Sequence, residues 1–212
     1  MAERTGEITA LGRWVLLHAC RQAASWPGSP PPAVSVNVSA VQIEAGTVGI
    51  DVADALRESG LPPSRLQIEL TESVFAGDRG RIIPELVQLR EAGVRISLDD
   101  FGTGFSCLAD LRRLPIDQIK IDKSFVESLE VDSVPIVKVI MTTAQTFGLR
   151  VVAEGVETQR QAKHFLDLGA DYLQGYLFCQ LLSPEAVKDW LLHPLSQPPN
   201  TTAARRIEAI QR

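Results

Sequence analysis

The 212-residue chain is 45% hydrophobic and 22% charged, with a formal net charge of -5, which fits one globular domain with a sizeable core. The acidic balance argues against non-specific binding to a DNA or RNA polymer, which needs a basic stripe. No apolar run approaches the ~20 residues that cross a bilayer, and the N-terminal MAERTGEITALGRW lacks the pattern of a secretory signal. A cytoplasmic location is expected, with a membrane anchor left open for any longer parent protein.

Helical periodicity opens at Ile8–Ser25, and a β-branched run at Val34–Val38 reads as the first strand. Then follow helix Val48–Ser59, strand Leu66–Leu70, helix Arg79–Ala92 and strand Arg95–Leu98. Strand Gln118–Ile121, helix Ser133–Phe147, strand Arg150–Ala153, helix Thr158–Leu168, strand Asp171–Gln174 and helix Pro184–Leu192 complete the order. Gly60, Gly93, Gly148 and Gly169 each follow a helical stretch, where a left-handed residue closes the last turn. The domain is therefore placed at residues 1–193, and the Pro-, Asn- and Thr-rich residues 194–212 read as a tail or linker. Asn200-Thr201-Thr202 matches a glycosylation sequon without a compartment that would use it. Cys20, Cys107 and Cys179 are odd in number, scattered and read as reduced structural residues.

Strands alternating with helices imply a parallel sheet, either open and doubly wound or closed as a (β/α) barrel. Period-2 reading puts Val34, Val36 and Val38 on one face against Ser35, Asn37 and Ser39. Leu66, Ile68 and Leu70 likewise oppose Gln67, Glu69 and Thr71, and Ile96 and Leu98 oppose Ser97 and Asp99. Ile119 and Ile121 oppose Gln118, Lys120 and Asp122. A parallel strand covered by helices on both faces is apolar on both, so one repeatedly polar face favours a barrel with that face inward. Barrel sites form at the C-terminal ends of the strands.

Asn37, Glu69, Asp99, Asp100, Lys120 and Glu154 all fall at such ends. Each has an ordinary explanation: Asn37 in a turn, the aspartates as helix caps, Lys120 snorkelling outward. Their shared parity and shared end are harder to explain separately. Carboxylate and amide oxygens suit hard divalent cations, and a cation pair clamps the oxygens of a phosphoryl transfer. His18, His164 and His193 lie on predicted helices, and neither a Gly-x-Ser-x-Gly elbow nor a Walker loop is present.

Six motifs in order then carry a resemblance: Ser35-Val-Asn-Val-Ser39, Glu69-Leu-Thr-Glu-Ser73, Asp99-Asp-Phe-Gly-Thr-Gly104, Ile119-Lys-Ile-Asp122, Ala153-Glu-Gly-Val-Glu157 and Gln174-Gly-Tyr176. The chain resembles the EAL-domain family of cyclic-di-GMP phosphodiesterases from about Gly6 to Leu182. The resemblance implies a TIM-barrel-like (β/α)8 fold that hydrolyses cyclic di-GMP to linear pGpG with Mg²⁺ or Mn²⁺ in a two-ion site. It implies Asn37, Glu69, Asp99 and Asp100 as metal ligands, Lys120 holding the attacking water, and Glu154 as a further ligand or base. Glu72 and Glu157 match supporting positions around the site, and Gln174 matches a site position on the last strand. A homodimer and an accompanying sensory or GGDEF-type domain are further expectations.

Two departures accompany the likeness. Cys179-Gln180-Leu181 stands where the family usually has Gly, a basic residue and Pro. The strands that carry the family's Glu-Ala-Leu glutamate and a phosphate-binding arginine are not in this sequence, leaving about six βα units of the eight. A chain without them is expected to be weakly stable or oligomeric alone. It would act either as the phosphodiesterase or as a catalytically impaired module that binds cyclic di-GMP or a protein partner.

Overall fold

A computed structural model describes residues 2–102, 111–127 and 134–192. It divides into two compact units, residues 1–99 with 104–117, and residues 100–103 with 118–212.

In the first unit, a short helix α1 (Ala2–Thr5) precedes α2 (Ile8–Ala24), strand β1 (Val34–Asn37), and helices α3 (Ala40–Glu44) and α4 (Val48–Ser59). Strand β2 (Leu66–Thr71), helix α5 (Arg79–Glu91) and strand β3 (Arg95–Phe101) complete two βα repeats. β1 pairs parallel with β2, and β2 parallel with β3. The apolar parity of β2 and β3 forms the core: Leu66, Ile68, Leu70, Ile96 and Leu98 are wholly buried. Helix α2 contributes Leu16, Cys20 and Ala23 to that core, and burial pushes the Cys20 thiol up to about 11. Arg13 and Arg21 of α2 pair with Asp54 and Glu58 of α4 at 3.3 and 2.9 Å, tying the exposed sides of the two helices.

The second unit holds β4 (Gln118–Ile121), α6 (Lys123–Glu127), α7 (Val134–Phe147), β5 (Arg150–Ala153), α8 (Gln159–Leu168), β6 (Tyr172–Leu173) and α9 (Pro184–Leu192). β4 pairs parallel with β5, and β5 with β6. Ile119, Ile121, Val151 and Ala153 of the strands and Val137, Ile140, Ala144 and Phe165 of the helices are buried as the apolar core of this unit. A capping box starts α8: the Thr158 hydroxyl accepts from the Gln161 amide, and the Gln161 side chain accepts from the Thr158 amide.

The six predicted strands and six predicted helices are all present, with ends that differ by at most three residues, the largest difference being β3, which runs on to Phe101. The α/β alternation is therefore as read from the sequence. Gly60, Gly93, Gly148 and Gly169 all take positive φ, as their positions after helices require. The last strand is shorter than expected, two residues instead of four, because Gly175 turns the chain at once. Helices α1, α3 and α6 were not expected: at four or five residues they are too short to show a helical period. Cys20 and Cys179 are free thiols. Cys107, Gly104, Ser133, His193 and the 194–212 tail lie outside the described residues.

Candidate functional site

In the first unit the site residues line up by strand register. Asn37 at the end of β1 pairs with Glu69 on β2, and Glu69 with Ser97 on β3, so the three share one face. Asp99, two residues past Ser97, shares the same parity and is half-buried. Asn37 is exposed, whereas Glu69 is only 7% exposed. The Val38 amide donates to the Glu69 carbonyl at 2.9 Å, which carries the ladder one step past β1. The chain then turns at once, because Ser39 and Gln42 form a capping box that starts α3. Glu72 begins the 3-10 turn after β2 and is almost fully buried.

In the second unit Lys120 sits on β4 with 4% exposure. Its register partner is Val152, and Glu154 lies two residues on, so both side chains belong to one face. The Lys120 Nζ reaches a Glu154 carboxylate oxygen at 2.5 Å. The snorkelling explanation for Lys120 therefore fails: the ammonium is buried, and a carboxylate compensates its lost hydration. The Glu154 amide donates to the Ile121 carbonyl at 3.1 Å, which fixes the backbone beneath this carboxylate.

Asp100 brings a second carboxylate oxygen within 4.8 Å of that of Glu154. Its φ of 54° is the only positive value among the described non-glycine residues. An aspartate tolerates that left-handed conformation better than most side chains, at a strain cost of roughly 1–3 kcal/mol. Asp99 is its neighbour in the chain. Gly102, at φ 98°, follows on the same loop, where a Cβ would lie 3.0 Å from the Phe125 ring and 3.1 Å from Ile140. A glycine is what lets the Asp100 loop lie against α6 and α7.

The segment after Glu154 is clamped in the same way. A Cβ on Gly175 would overlap the backbone of Val156. The Val156 amide donates to the Gln174 carbonyl at 2.9 Å, and the Leu177 amide to the Val156 carbonyl at 3.0 Å. Gln174, two residues past Tyr172, shares the face of Val152 and Glu154 by register and is exposed. Glu157 is exposed, and its amide donates to the Gln161 side chain at 2.9 Å.

Of the sequence-predicted residues, then, Asn37, Glu69 and Asp99 share one face of the first unit, and Asp100, Lys120 and Glu154 gather in the second. The donor chemistry of this second group suits a hard divalent cation: two convergent carboxylates, with an ammonium that offsets part of their mutual repulsion. Among the described histidines, His18 stacks on Trp14 with ring centroids 4.0 Å apart, and His164 lies half-buried on α8. Gln67 lies one layer below Glu69 on the same polar face, away from the strand end that marks the other candidates.

The profile of the EAL domain family matches residues 1–181. The oxygen sensor protein DosP of Escherichia coli strain K12 is 39% identical over 195 residues, which is 90% of this chain and 24% of DosP. MucR of Pseudomonas aeruginosa, a bifunctional diguanylate cyclase/cyclic di-GMP phosphodiesterase, is 42% identical over 84% of this chain and 26% of its own length. The chain thus spans about a quarter of the length of these curated relatives. Among solved structures, the PaMucR phosphodiesterase in complex with c-di-GMP superposes with a TM-score of 0.83 at 40% identity, over 88% of this chain and 77% of that one. The EAL domain of Mycobacterium smegmatis DcpA gives a TM-score of 0.82 at 38% identity, over 87% and 84%. These likenesses agree with the TIM-barrel-like fold class expected from the sequence, of which this chain supplies six parallel strands. By its ordered motifs, its strand register and these similarities, the chain belongs to the EAL domain family.

Proposed function

We propose that this chain carries a phosphodiesterase site that hydrolyses cyclic di-GMP to linear pGpG in bacterial second-messenger signalling. The observation that carries the reading is the buried Lys120–Glu154 pair with the Asp100 carboxylate beside it, at the C-terminal ends of the strands. The reading is supported by what the PaMucR phosphodiesterase binds. Asn37, Glu69, Asp99 and Asp100 would hold divalent cations, Mg²⁺ or Mn²⁺, with Glu154 a further ligand or base. When bound, such cations neutralise phosphodiester charge and make hydroxide accessible near neutral pH.

The chain's own residues do the rest. Lys120 is a fixed ammonium that stabilises negative charge as it grows on the phosphoryl oxygens and orients the attacking water. Glu154 aims that ammonium and can accept the water's proton. The water oxygen bonds to phosphorus, the P–O3′ bond breaks, and the 3′ oxygen takes a proton, leaving a 5′ phosphate. Glu72 and Glu157 support the loops around the site, and Gln174 faces the nucleotide.

Incubation with cyclic di-GMP and Mn²⁺, followed by chromatography, tests the proposal: pGpG should accumulate, and Asp99→Ala should abolish it. Turnover that survives Asp99→Ala overturns the site assignment. Binding without pGpG would replace the enzyme by a nucleotide-binding regulatory module, a reading in keeping with Cys179-Gln180-Leu181 standing where the family resemblance implies Gly, a basic residue and Pro. Because the relatives are several times longer, we infer a parent protein in which residues 1–193 form the EAL domain, joined to a sensory or GGDEF-type domain. A homodimer and a cytoplasmic site belong to the same proposal; among the described residues no helix is long and apolar enough to cross a membrane.

A further inference from the structure

We propose that Gln67 is a positioning residue that holds the Glu69 carboxylate in the orientation needed to bind a divalent cation. The inference rests on the reading of Glu69 as a metal ligand and adds a residue to it.

The register stacks two polar layers on one face of the first unit. Ser35, Gln67 and Arg95 form the lower layer, and Asn37, Glu69 and Ser97 the upper. The Gln67 Nε2 bridges them, 3.2 Å from the Ser35 Oγ and 3.5 Å from the Glu69 Oε1. That nitrogen has two hydrogens and no acceptor capacity, so one serves the serine and the other the carboxylate. The reverse amide orientation would set a carbonyl oxygen against the Glu69 carboxylate and is disfavoured by repulsion.

Residue type matters here. Glu69 is only 7% exposed, so water does little to orient it. A glutamate at position 67 would add a second negative charge one layer below. A leucine or methionine would fill the volume but donate nothing. Only an amide of this length reaches both layers while staying neutral. Partners of this kind, which touch a ligand and not the metal, fix a carboxylate's orientation and raise its affinity for the ion.

The experiment titrates the full chain with Mn²⁺ and follows unbound Mn²⁺ by its paramagnetic resonance signal, for wild type, Gln67→Met and Ser35→Ala. Thermal melts without metal, and kcat and KM for cyclic di-GMP at saturating Mn²⁺, accompany it. Gln67→Met should raise the Mn²⁺ dissociation constant about 10-fold, and Ser35→Ala about threefold, because the serine only steadies the amide. KM for the nucleotide should stay unchanged once Mn²⁺ saturates. A merely structural role for Gln67 would lower the melting temperature and leave the Mn²⁺ affinity of the folded protein alone. Wild-type affinity in folded Gln67→Met overturns the proposal. If that variant does not fold, wild-type affinity in Ser35→Ala, a change at an exposed position, overturns it equally. A wild-type chain that binds no Mn²⁺ overturns both this inference and the metal-site reading. One that binds Mn²⁺ and hydrolyses cyclic di-GMP while the variants match it overturns only this one.

Discussion

Lys120 shows how much a single side chain can decide. Its ammonium is buried and held at 2.5 Å by Glu154, so Lys120→Met keeps the volume and removes the charge. Loss of one preorganised charge stabiliser costs roughly 10²–10³ in kcat, and turnover of cyclic di-GMP by Lys120→Met should fall by about that factor. Asp122, two residues later, has a different task. Burial works to raise its pKa, but the Ser124 hydroxyl, the Ser124 and Lys123 amides and the Lys123 charge outweigh it, so the carboxyl ends below its usual range. It accepts from the Ser124 amide at 3.0 Å and so caps α6. Asp122→Ala should cost about 1 kcal/mol in urea unfolding at pH 7. Because the folded-state pKa lies below the unfolded one, that contribution is complete above the unfolded value of ~3.9 and disappears as pH falls through the folded one. The deficit should therefore shrink when the two proteins are compared near pH 3.

At the scale of elements, the junction between β1 and α3 depends on space that α2 leaves open. A Cβ on Gly12 would overlap the Gln42 amide nitrogen, and Gln42 is the side chain that closes the capping box on Ser39. Gly12→Ala should evict Gln42 and cost about 1 kcal/mol, the worth of a cap. Adding Gln42→Ala to that variant should then cost little more, a non-additivity that a double-mutant cycle of unfolding free energies reads directly. This arrangement was not legible in the sequence. Gly12 sits mid-helix, and what makes it necessary lies on a segment thirty residues away, in a helix too short to have a period. The strands were legible because each pairs a run of Val, Ile and Leu with polar residues of opposite parity, and burial of Ile68, Ile96 and Ile119 enforces that register. The candidate site was legible as far as the last polar residue of each strand. Sequence could list Lys120 and Glu154 but not their contact, since which carboxylate meets the ammonium is set by the β4–β5 register. The sequence places Gln67 on the polar face but does not single it out, for a related reason: a polar residue one layer down looks like any other in the period-2 pattern until the Ser35 and Glu69 distances are known.

At the scale of the whole molecule, the proposed function would have an acidic chain with a formal charge of -5 receive an anionic diester. Divalent cations can reconcile the two signs, and the Lys120–Glu154 pair changes what it means for such a cation to arrive. Lys120 lies as a counter-ion against Glu154, with the Asp100 carboxylate beside that pair. Under the proposed function, an incoming ion would compete with this tethered ammonium for the Glu154 carboxylate. Such a site would give up some affinity in return for reversibility. The same Lys120→Met variant that slows turnover should therefore bind Mn²⁺ more tightly than wild type, as read by titration of unbound Mn²⁺.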